Sequence, residues 1–150
     1  MGNAKDESTE FSSLKVLRNV PFECIPQAFV ENLKGRVYDY DQFLQACRIY
    51  NESGVYWNLI VHDEVGNPIA VVWGMWDPLE AHFRVIRVSS HPKWQKAGGK
   101  FMRWLFTQVK LFASEMRAEK LYWESNRWKI WLKQLDGLVF IDETSVIQAY

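Results

Sequence analysis

The sequence predicts an α/β (α+β) fold: a mixed, largely antiparallel central sheet with a bulged fourth strand and helices on both faces. The 150 residues are 48% apolar and 15% aromatic, which suits one domain with a substantial core. Stretches with strand-like alternation and stretches with apolar residues at helical spacing follow one another along the chain. We expect a flexible polar leader over residues 1–13 and a single domain over residues 14–150.

A strand, two helices and a hairpin are predicted to open the domain. Apolar residues between positions 14 and 20 indicate the strand, and Phe22–Leu33 carries apolar residues at helical spacing. Asp41 is the expected N-cap of the second helix. Tyr56–His62 and Pro68–Met75 are rich in aromatic and β-branched residues, and a glycine-containing turn joins them. Together they predict a β-hairpin.

The next strand, His82–Ser90, is predicted to contain a bulge. Its apolar residues alternate through Val85 and then slip by one position at Ile86. Such a slip is typical of a β-bulge, because one extra residue shifts the side chains that follow to the opposite face. We expect the bulge to put Arg84 and Arg87 on one polar face and to leave part of the ladder of this strand unpaired.

The remaining elements are a long helix, a strand, a second helix and two strands. Lys100–Met116 separates a polar stripe from an apolar stripe, which predicts an amphipathic helix. Leu121–Glu124 is a short strand, and Ser125 caps a helix that runs to about residue 135, where Asp136-Gly137 stops it. The sequences 138–141 and 145–149 are predicted to be the last two strands.

Charge is unevenly distributed. The 18 basic and 18 acidic residues cancel, which excludes a uniformly basic nucleic-acid binder. Residues 84–133 nevertheless hold 12 basic and 3 acidic residues, a charge of +9, whereas residues 1–83 hold 6 basic and 12 acidic ones and residues 134–150 hold 3 acidic ones. Either these charges cluster by chance on solvated faces, or residues 84–133 form a site for an anion.

Other classes of protein and site are disfavoured. No apolar run approaches the roughly 20 residues of a membrane span, and residues 1–13 lack the apolar region of a secretory signal. The three His and two Cys have no metal-site spacing, so we expect no metal. Cys24 and Cys47 fall inside apolar patterns, which predicts two buried free thiols and a cytoplasmic protein.

The segment between the bulged strand and the long helix suits a pyrophosphate. A strand that enters a glycine-containing loop and then a helix N-terminus presents backbone N–H groups and the positive end of the helix dipole. Lys93, Lys96 and Lys100 add charge at the same place. Alone, the Gly98-Gly99 pair also fits a flexible entry turn, so the argument rests on its combination with the bulge.

At this segment the chain resembles the GNAT (Gcn5-related N-acetyltransferase) superfamily. In that family a bulged fourth strand ends in a hydrophobic-x-Pro pattern, followed by an aromatic residue and by Gln/Arg-x-x-Gly-x-Gly/Ala at a helix start. The resemblance covers residues 56–150, and Lys100 takes the place of the final Gly or Ala. The matching residues are His91, Pro92, Trp94, Gln95, Gly98, Asn126, Gly137 and Phe140.

The resemblance implies that acetyl-CoA is the cofactor and that acetyl is transferred to an amine. In the family the bulged strand pairs with the pantetheine of acetyl-CoA, the loop holds the pyrophosphate, and the Asn faces the pantetheine arm. Carried over residue by residue, these cofactor-binding roles fall on Val88, Ser90, Gln95, Lys96, Ala97, Gly98, Gly99, Lys100 and Asn126.

The chain departs from the family in ways that leave the catalytic residues unassigned. Lys100 replaces a small residue, so its side chain either crowds the phosphates, which we expect, or neutralises one of them. Lys133 stands where the family has the Tyr that protonates the leaving thiolate. The bulged strand carries no carboxylate, so Glu80 and His82 are the nearby candidates for the base.

Two alternatives remain open beside an N-acyltransferase. The spacing of residues 126–140 is similar to that of acetyltransferase-like assembly or internal proteins of T7-type tailed phages, which implies a catalytically degenerate protein with phage or host protein partners in the host cytoplasm or the virion. In such a protein, tryptophans such as Trp128 and Trp131 would fill the cofactor groove. The third hypothesis, a nucleic-acid-binding module, lacks a base-reading motif. It would use Lys93, Lys96, Lys100, Arg103, Lys110 and Trp94.

Overall fold

The structure is a computed structural model that describes residues 11–33, 39–95, 99–124, 139–140 and 146–148. Its strands are β1 (Lys15–Arg18), β2 (Tyr56–His62), β3 (Pro68–Asp77), β4 (His82–Ser90), β5 (Lys120–Glu124), β6 (Val139–Phe140) and β7 (Val146–Gln148). Its α-helices are α1 (Gln27–Glu31), α2 (Tyr40–Ser53), α3 (Pro92–Gln95) and α4 (Lys100–Glu115), and a 3-10 turn spans Phe22–Cys24.

The seven strands form one mixed sheet in the order β1-β2-β3-β4-β5-β7-β6. Strands β1 to β4 pair antiparallel, β5 runs parallel to β4, and β7 pairs antiparallel with both β5 and β6. The hairpin register places Tyr56 opposite Met75, as a tight connection through Asp63–Asn67 requires. The predicted fold class, a mixed and largely antiparallel sheet, is confirmed.

Helices cover both faces of the sheet, as predicted. On one face, Phe101, Leu105 and Val109 of α4 pack into a core with the buried residues of β2 to β5. On the other face, α1 and α2 contribute Phe29, Val30, Phe43 and Cys47 to a second core against β2 and β3. The residues that the sequence predicts to form the apolar stripe of α4 are therefore the ones that pack against the sheet, since most of them are fully buried.

The polar leader extends less far than residue 13. Phe11 is only 1% exposed and belongs to the α4 core, where its ring centroid lies 5.9 Å from that of Phe101 and 5.6 Å from that of Trp104. An aromatic ring of this size contributes a large buried apolar area. The part of the chain that packs therefore begins no later than Phe11, and residues 1–10 lie outside the described residues.

Two predictions for the first helices are wrong. The single helix expected over residues 22–33 is instead a 3-10 turn and the short helix α1, because Pro26 has no N–H to donate and occupies the N-cap of α1 in an extended conformation. Helix α2 begins two residues earlier than expected. Its N-cap is Asp39, whose Oδ1 accepts a hydrogen bond from the N–H of Asp41 at 3.0 Å.

One of the two expected buried thiols is exposed. Both cysteines are free, but Cys24 lies on the surface of the 3-10 turn, whereas Cys47 is 2% exposed inside the second core. Because that turn replaces the predicted helix, the apolar spacing around residue 24 does not correspond to a buried helical face. Burial raises the pKa of the Cys47 thiol to about 11, so this thiol stays protonated at neutral pH.

Several sequence features can be placed only in part. The helix predicted to begin at Ser125 and to stop at Gly137 lies outside the described residues, as do Trp128 and Trp131. The described portions of the last two predicted strands, Val139–Phe140 and Val146–Gln148, are strands. Within the described ranges, each helix falls short of the length and hydropathy that a membrane span needs, and no group of three or more His, Cys, Asp or Glu residues is placed to bind a metal ion.

Candidate functional site

The predicted bulge lies at the centre of β4. Trp73 of β3 pairs with Arg87, and the next β3 residue, Gly74, pairs with Val85, so Ile86 is the extra residue in the ladder. The slip that the sequence showed between positions 85 and 86 is therefore confirmed. Arg84 pairs with Met75 and Arg87 with Trp73, two positions apart on β3, so both arginines lie on one face of the sheet, as expected. That face is not wholly polar as predicted, since it also carries α2 and the second core.

Strands β4 and β5 stop pairing at the bulge. Their parallel ladder joins His82 to Lys120 and ends where Val85 meets Trp123. Strand β4 continues to Ser90 along β3, and β5 ends one residue after Trp123. The carboxyl side of the last contact of such a parallel pair is where a cleft between the two strands is expected. In open α/β sheets, ligands bind at this type of position.

A short turn carries the chain from β4 towards α4. The N–H of His91 donates to the carbonyl of Ile69 at 2.7 Å, which fixes the end of β4 to β3. Nδ1 of His91 accepts from the N–H of Lys93 at 3.2 Å at the start of α3. Trp94 packs on Phe101, with ring centroids 5.2 Å apart. These contacts hold the entry to the loop against both the sheet and α4.

Helix α4 begins beside this loop, and its 16 residues give it a full macrodipole. Gly99 is its N-cap and has φ 83°, a left-handed conformation that glycine adopts without strain. Gly99 has no side chain to cap the first turn, and that turn carries no acidic residue. The exposed side chains of Lys93 and Lys100 flank this positive end of the helix. The described part of the segment thus suits an anion.

A cavity of about 400 Å³ lies on the α2 face of the sheet. It is bounded by Phe43 and Tyr50 of α2, by Tyr56 and Trp73 of the hairpin, and by Ile86 and Arg87 at the bulge. Volumes of this size are typical of small-molecule sites. The sequence analysis missed this cavity, since its walls are far apart in the chain and meet only when α2 packs on the sheet.

The structure brings together only part of the predicted cofactor-binding set. Val88 and Ser90 are half-buried on β4 beyond the bulge, and Gly99 and Lys100 start α4. The backbone of Gln95 ends α3. Lys96, Ala97, Gly98, Asn126 and Lys133 lie outside the described residues, so their predicted roles stay predictions.

The two candidate bases lie near the start of β4. Glu80 is exposed in the turn before the strand, where its N–H donates to Asp77. His82 is half-buried, and its ring meets the edge of Tyr122 at a centroid distance of 5.0 Å. Because His82 and Arg84 are two residues apart, His82 shares the sheet face of the cavity. Of the two, His82 is better placed to face a substrate.

Solved structures with the same architecture include acetyltransferases. The spermidine/spermine N-acetyltransferase SpeG from Vibrio cholerae superposes with a TM-score of 0.65 at 16% identity, covering 91% of this chain and 89% of the other. The chain has the GNAT acetyltransferase fold. An IAA acetyltransferase from Bacillus cereus matches with a TM-score of 0.58 at 11% identity, covering 91% and 96% of the two chains. No protein-family model and no curated protein sequence matches the chain.

At these identities the comparison establishes the GNAT fold and not an activity. The fold accounts for the order of elements that the sequence predicted, including the bulged β4 followed by a loop and by α4. It also explains why β5 runs parallel to β4 within an otherwise antiparallel sheet, since a helical crossover joins these two strands.

Proposed function

We propose that the chain is an N-acyltransferase that binds acetyl-CoA between β4 and β5 and transfers its acetyl group to an amine. The observation that carries the proposal is the end of the β4–β5 ladder at the bulge, with the N-terminus of α4 following shortly after β4. A cleft lined by strand backbone suits the amides of pantetheine, and a helix N-terminus flanked by lysines suits a pyrophosphate.

In this proposal the pantetheine arm runs along Val88 and Ser90 and the pyrophosphate lies at residues 95–100, with Asn126 facing the arm. The side chain of Lys100 is exposed in the first turn of α4. An exposed ammonium can turn towards a bound phosphate at little cost, so we assign Lys100 to charge neutralisation instead of the crowding expected from the sequence. Lys93 adds a second positive charge on the same side of the loop.

Bound acetyl-CoA supplies an activated acyl group as a thioester. The residues of this chain orient the amine, exclude water and take up its proton. We propose that His82 accepts this proton, because it lies on the face of β4 that the cavity occupies and is half-buried against Tyr122. Histidine is the side chain that most often acts as a general base in enzymes, which suits it to this role.

Calorimetric titration with CoA tests the proposal. We expect micromolar binding by the unmodified chain, and Lys100→Glu should weaken it by about tenfold or more, because it reverses a charge beside the phosphates. Lys120→Glu is the matched control for CoA affinity alone, since it makes the same charge change opposite His82, at the end of β5 away from the proposed phosphate site, and should leave that affinity unchanged. No detectable heat at millimolar CoA would overturn the proposal.

A second candidate follows from the departures noted in the sequence. Lys133 in place of the family's Tyr favours a catalytically degenerate protein, such as the phage assembly or internal proteins that residues 126–140 resemble. The same CoA titration distinguishes the N-acyltransferase from the degenerate protein, because we expect only the N-acyltransferase to bind CoA. The nucleic-acid hypothesis is less attractive, since Trp94 packs against both Phe11 and Phe101, and these contacts occupy part of the ring surface on which a base would stack.

A further inference from the structure

We propose that Phe11 is a positioning residue for CoA, because its ring holds the short helix α3 against the first turn of α4. The inference rests on the proposed function, which puts the phosphates of CoA at the start of α4. In this role Phe11 does not touch the cofactor. It acts through Trp94 and Phe101, the aromatic residues of α3 and of the first turn of α4.

The ring of Phe11 contacts both helices at once. Its centroid lies 6.0 Å from that of Trp94 in α3 and 5.9 Å from that of Phe101 in α4. Trp104, about one turn further along α4, lies 5.6 Å from the same ring. Favourable aromatic pairs have their centroids about 4.5 to 7 Å apart. Phe11 thus joins α3 to the first two turns of α4.

Phe11 completes a triangle of rings. Trp94 and Phe101 also contact each other directly, with centroids 5.2 Å apart, so each of the three rings touches the other two. Phe11 and Phe101 are each 1% exposed, whereas Trp94 is half-buried. Two rings that share one contact can slide past each other. A third, buried ring that packs on both of them resists this sliding, because the interior leaves no space for it.

The sheet holds Phe11 in place independently of the two helices. Its carbonyl accepts a hydrogen bond from the N–H of Leu14 at 3.1 Å, which forms a turn just before β1. Leu14 and Val16 pack against the same core as Phe11, and β1 pairs with β2 from Lys15 onwards. The contact of Phe11 with Trp94 and Phe101 therefore fixes α3 and the start of α4 relative to the edge of the sheet.

The start of α4 needs such support. Gly99 is its N-cap and no side chain caps its first turn, although Lys100 and Phe101 follow directly. Hydrogen bonds from N–H groups weaken steeply when donor and acceptor are misaligned, so a phosphate binds best to a turn that is already ordered. If the backbone of one residue had to be ordered when CoA binds, the affinity would fall by about tenfold.

Hydrogen exchange without CoA tests whether Phe11 orders the two helices. The informative amides are those of Trp94, which donates to the carbonyl of His91 at 2.9 Å, and of Arg103, which donates to that of Gly99 at 3.0 Å. We expect Phe11→Ala to speed their exchange by about tenfold, because local opening becomes easier. Phe29→Ala is the matched control. It removes a buried ring from the second core and should leave these two amides unchanged.

Calorimetry tests whether this order serves the phosphates. We expect Phe11→Ala to weaken CoA binding by about tenfold and to leave the affinity for pantetheine, which lacks the phosphates, unchanged. Phe29→Ala should bind both ligands as the unmodified chain does. A purely structural role of Phe11 would not change the ratio of the two affinities. If Phe11→Ala fails to fold, Phe11→Leu keeps most of the apolar volume without the ring and should weaken CoA binding by about threefold.

The possible failures give different results. Unchanged exchange at Trp94 and Arg103, unchanged affinity for CoA, or equal weakening for CoA and pantetheine would each overturn the role of Phe11 and leave the proposed function standing. No heat from CoA with the unmodified chain would overturn the proposed function and this inference with it. Faster exchange together with a selective loss of CoA affinity is the result that we expect.

Discussion

Gly74 shows how a single residue makes room for the bulge. A Cβ placed on Gly74 would lie 1.7 Å from the carbonyl oxygen of Arg84 and 3.0 Å from the ring of Trp57. The first of these neighbours is main chain, so no side-chain rotation relieves the contact. The extra residue in β4 pushes a carbonyl towards β3, and only glycine leaves space for it. Gly74 and Ile86 are therefore parts of one structural feature, although they lie on different strands.

We expect Gly74→Ala to lower the free energy of unfolding by about 3 kcal/mol, the upper part of the range for overpacking a core. Urea denaturation followed by tryptophan fluorescence measures the loss. Gly66→Ala is the control, because Gly66 has φ 90° in the hairpin turn and a methyl group there would meet no atom of the described residues within 4 Å. That variant suffers only the left-handed strain of about 1 kcal/mol. Equal losses in the two variants would contradict the close approach of β4 to Gly74.

The start of α2 shows what a pattern of residues can and cannot decide about an element. Asp39 and Asp41 both suit an N-cap by residue type. The backbone decides between them, since Asp39 is extended at φ −71° and ψ 122° whereas residue 41 is already helical. The side chain of Asp39 reaches the N–H of Asp41. Asp41 instead lies in the first turn, where its charge interacts favourably with the helix dipole.

Alanine at the two positions distinguishes these roles. Asp39→Ala should cost about 1 kcal/mol of unfolding free energy, because it removes the cap of a 14-residue helix. Asp41→Ala should cost about 0.5 kcal/mol and lose most of that at high salt, since its contribution is through space. Thermal and urea unfolding at two salt concentrations would measure both. A larger loss of unfolding free energy from Asp41→Ala than from Asp39→Ala would show that Asp41 is the N-cap, as the sequence indicates.

Elements defined by their own residues could be predicted, and contacts between distant elements could not. β2 and β4 have the bounds that the sequence predicted, because alternation and flanking turns specify a strand locally. The prediction of a single helix over residues 22–33 was wrong, because Pro26 interrupts the helix even though the apolar residues keep helical spacing.

For the candidate site, local sequence patterns predict the loop and the bulge, but they do not predict the cavity. Tyr50 and Trp73 approach only through the packing of α2 on the sheet, and no local rule reports that packing.

Asn58 is a similar case. It is fully buried on β2, and its amide accepts from the N–H of Val20 at 3.1 Å and donates to the carbonyl of Val20 at 2.6 Å. The sequence alone does not show which backbone groups a buried amide will satisfy.

On the scale of the whole molecule, the basic segment of residues 84–133 puts positive charge at two separate positions. Arg84 and Arg87 lie on the face of the sheet that carries α2, where Arg84 lies over the ring of Tyr122 at 4.9 Å. Lys93 and Lys100 flank the start of α4. Four basic residues of the segment thus lie in two groups, one on the sheet face that carries α2 and one at the start of α4. The proposed donor carries its negative charge in phosphates, which suits the group at the start of α4.

This division predicts how binding responds to salt. Raising the ionic strength shortens the Debye length from about 10 Å at 0.1 M to about 3 Å at 1 M, which screens the phosphates of CoA from exposed lysines. We expect the affinity for CoA to fall by about tenfold over that range, whereas pantetheine, which lacks phosphates, should bind weakly and equally at both concentrations. In Lys100→Glu the fall for CoA should be smaller or absent, because the attraction that salt screens has been removed. An equal fall for pantetheine and CoA, or a salt-independent affinity for CoA, would show that the start of α4 does not hold the phosphates.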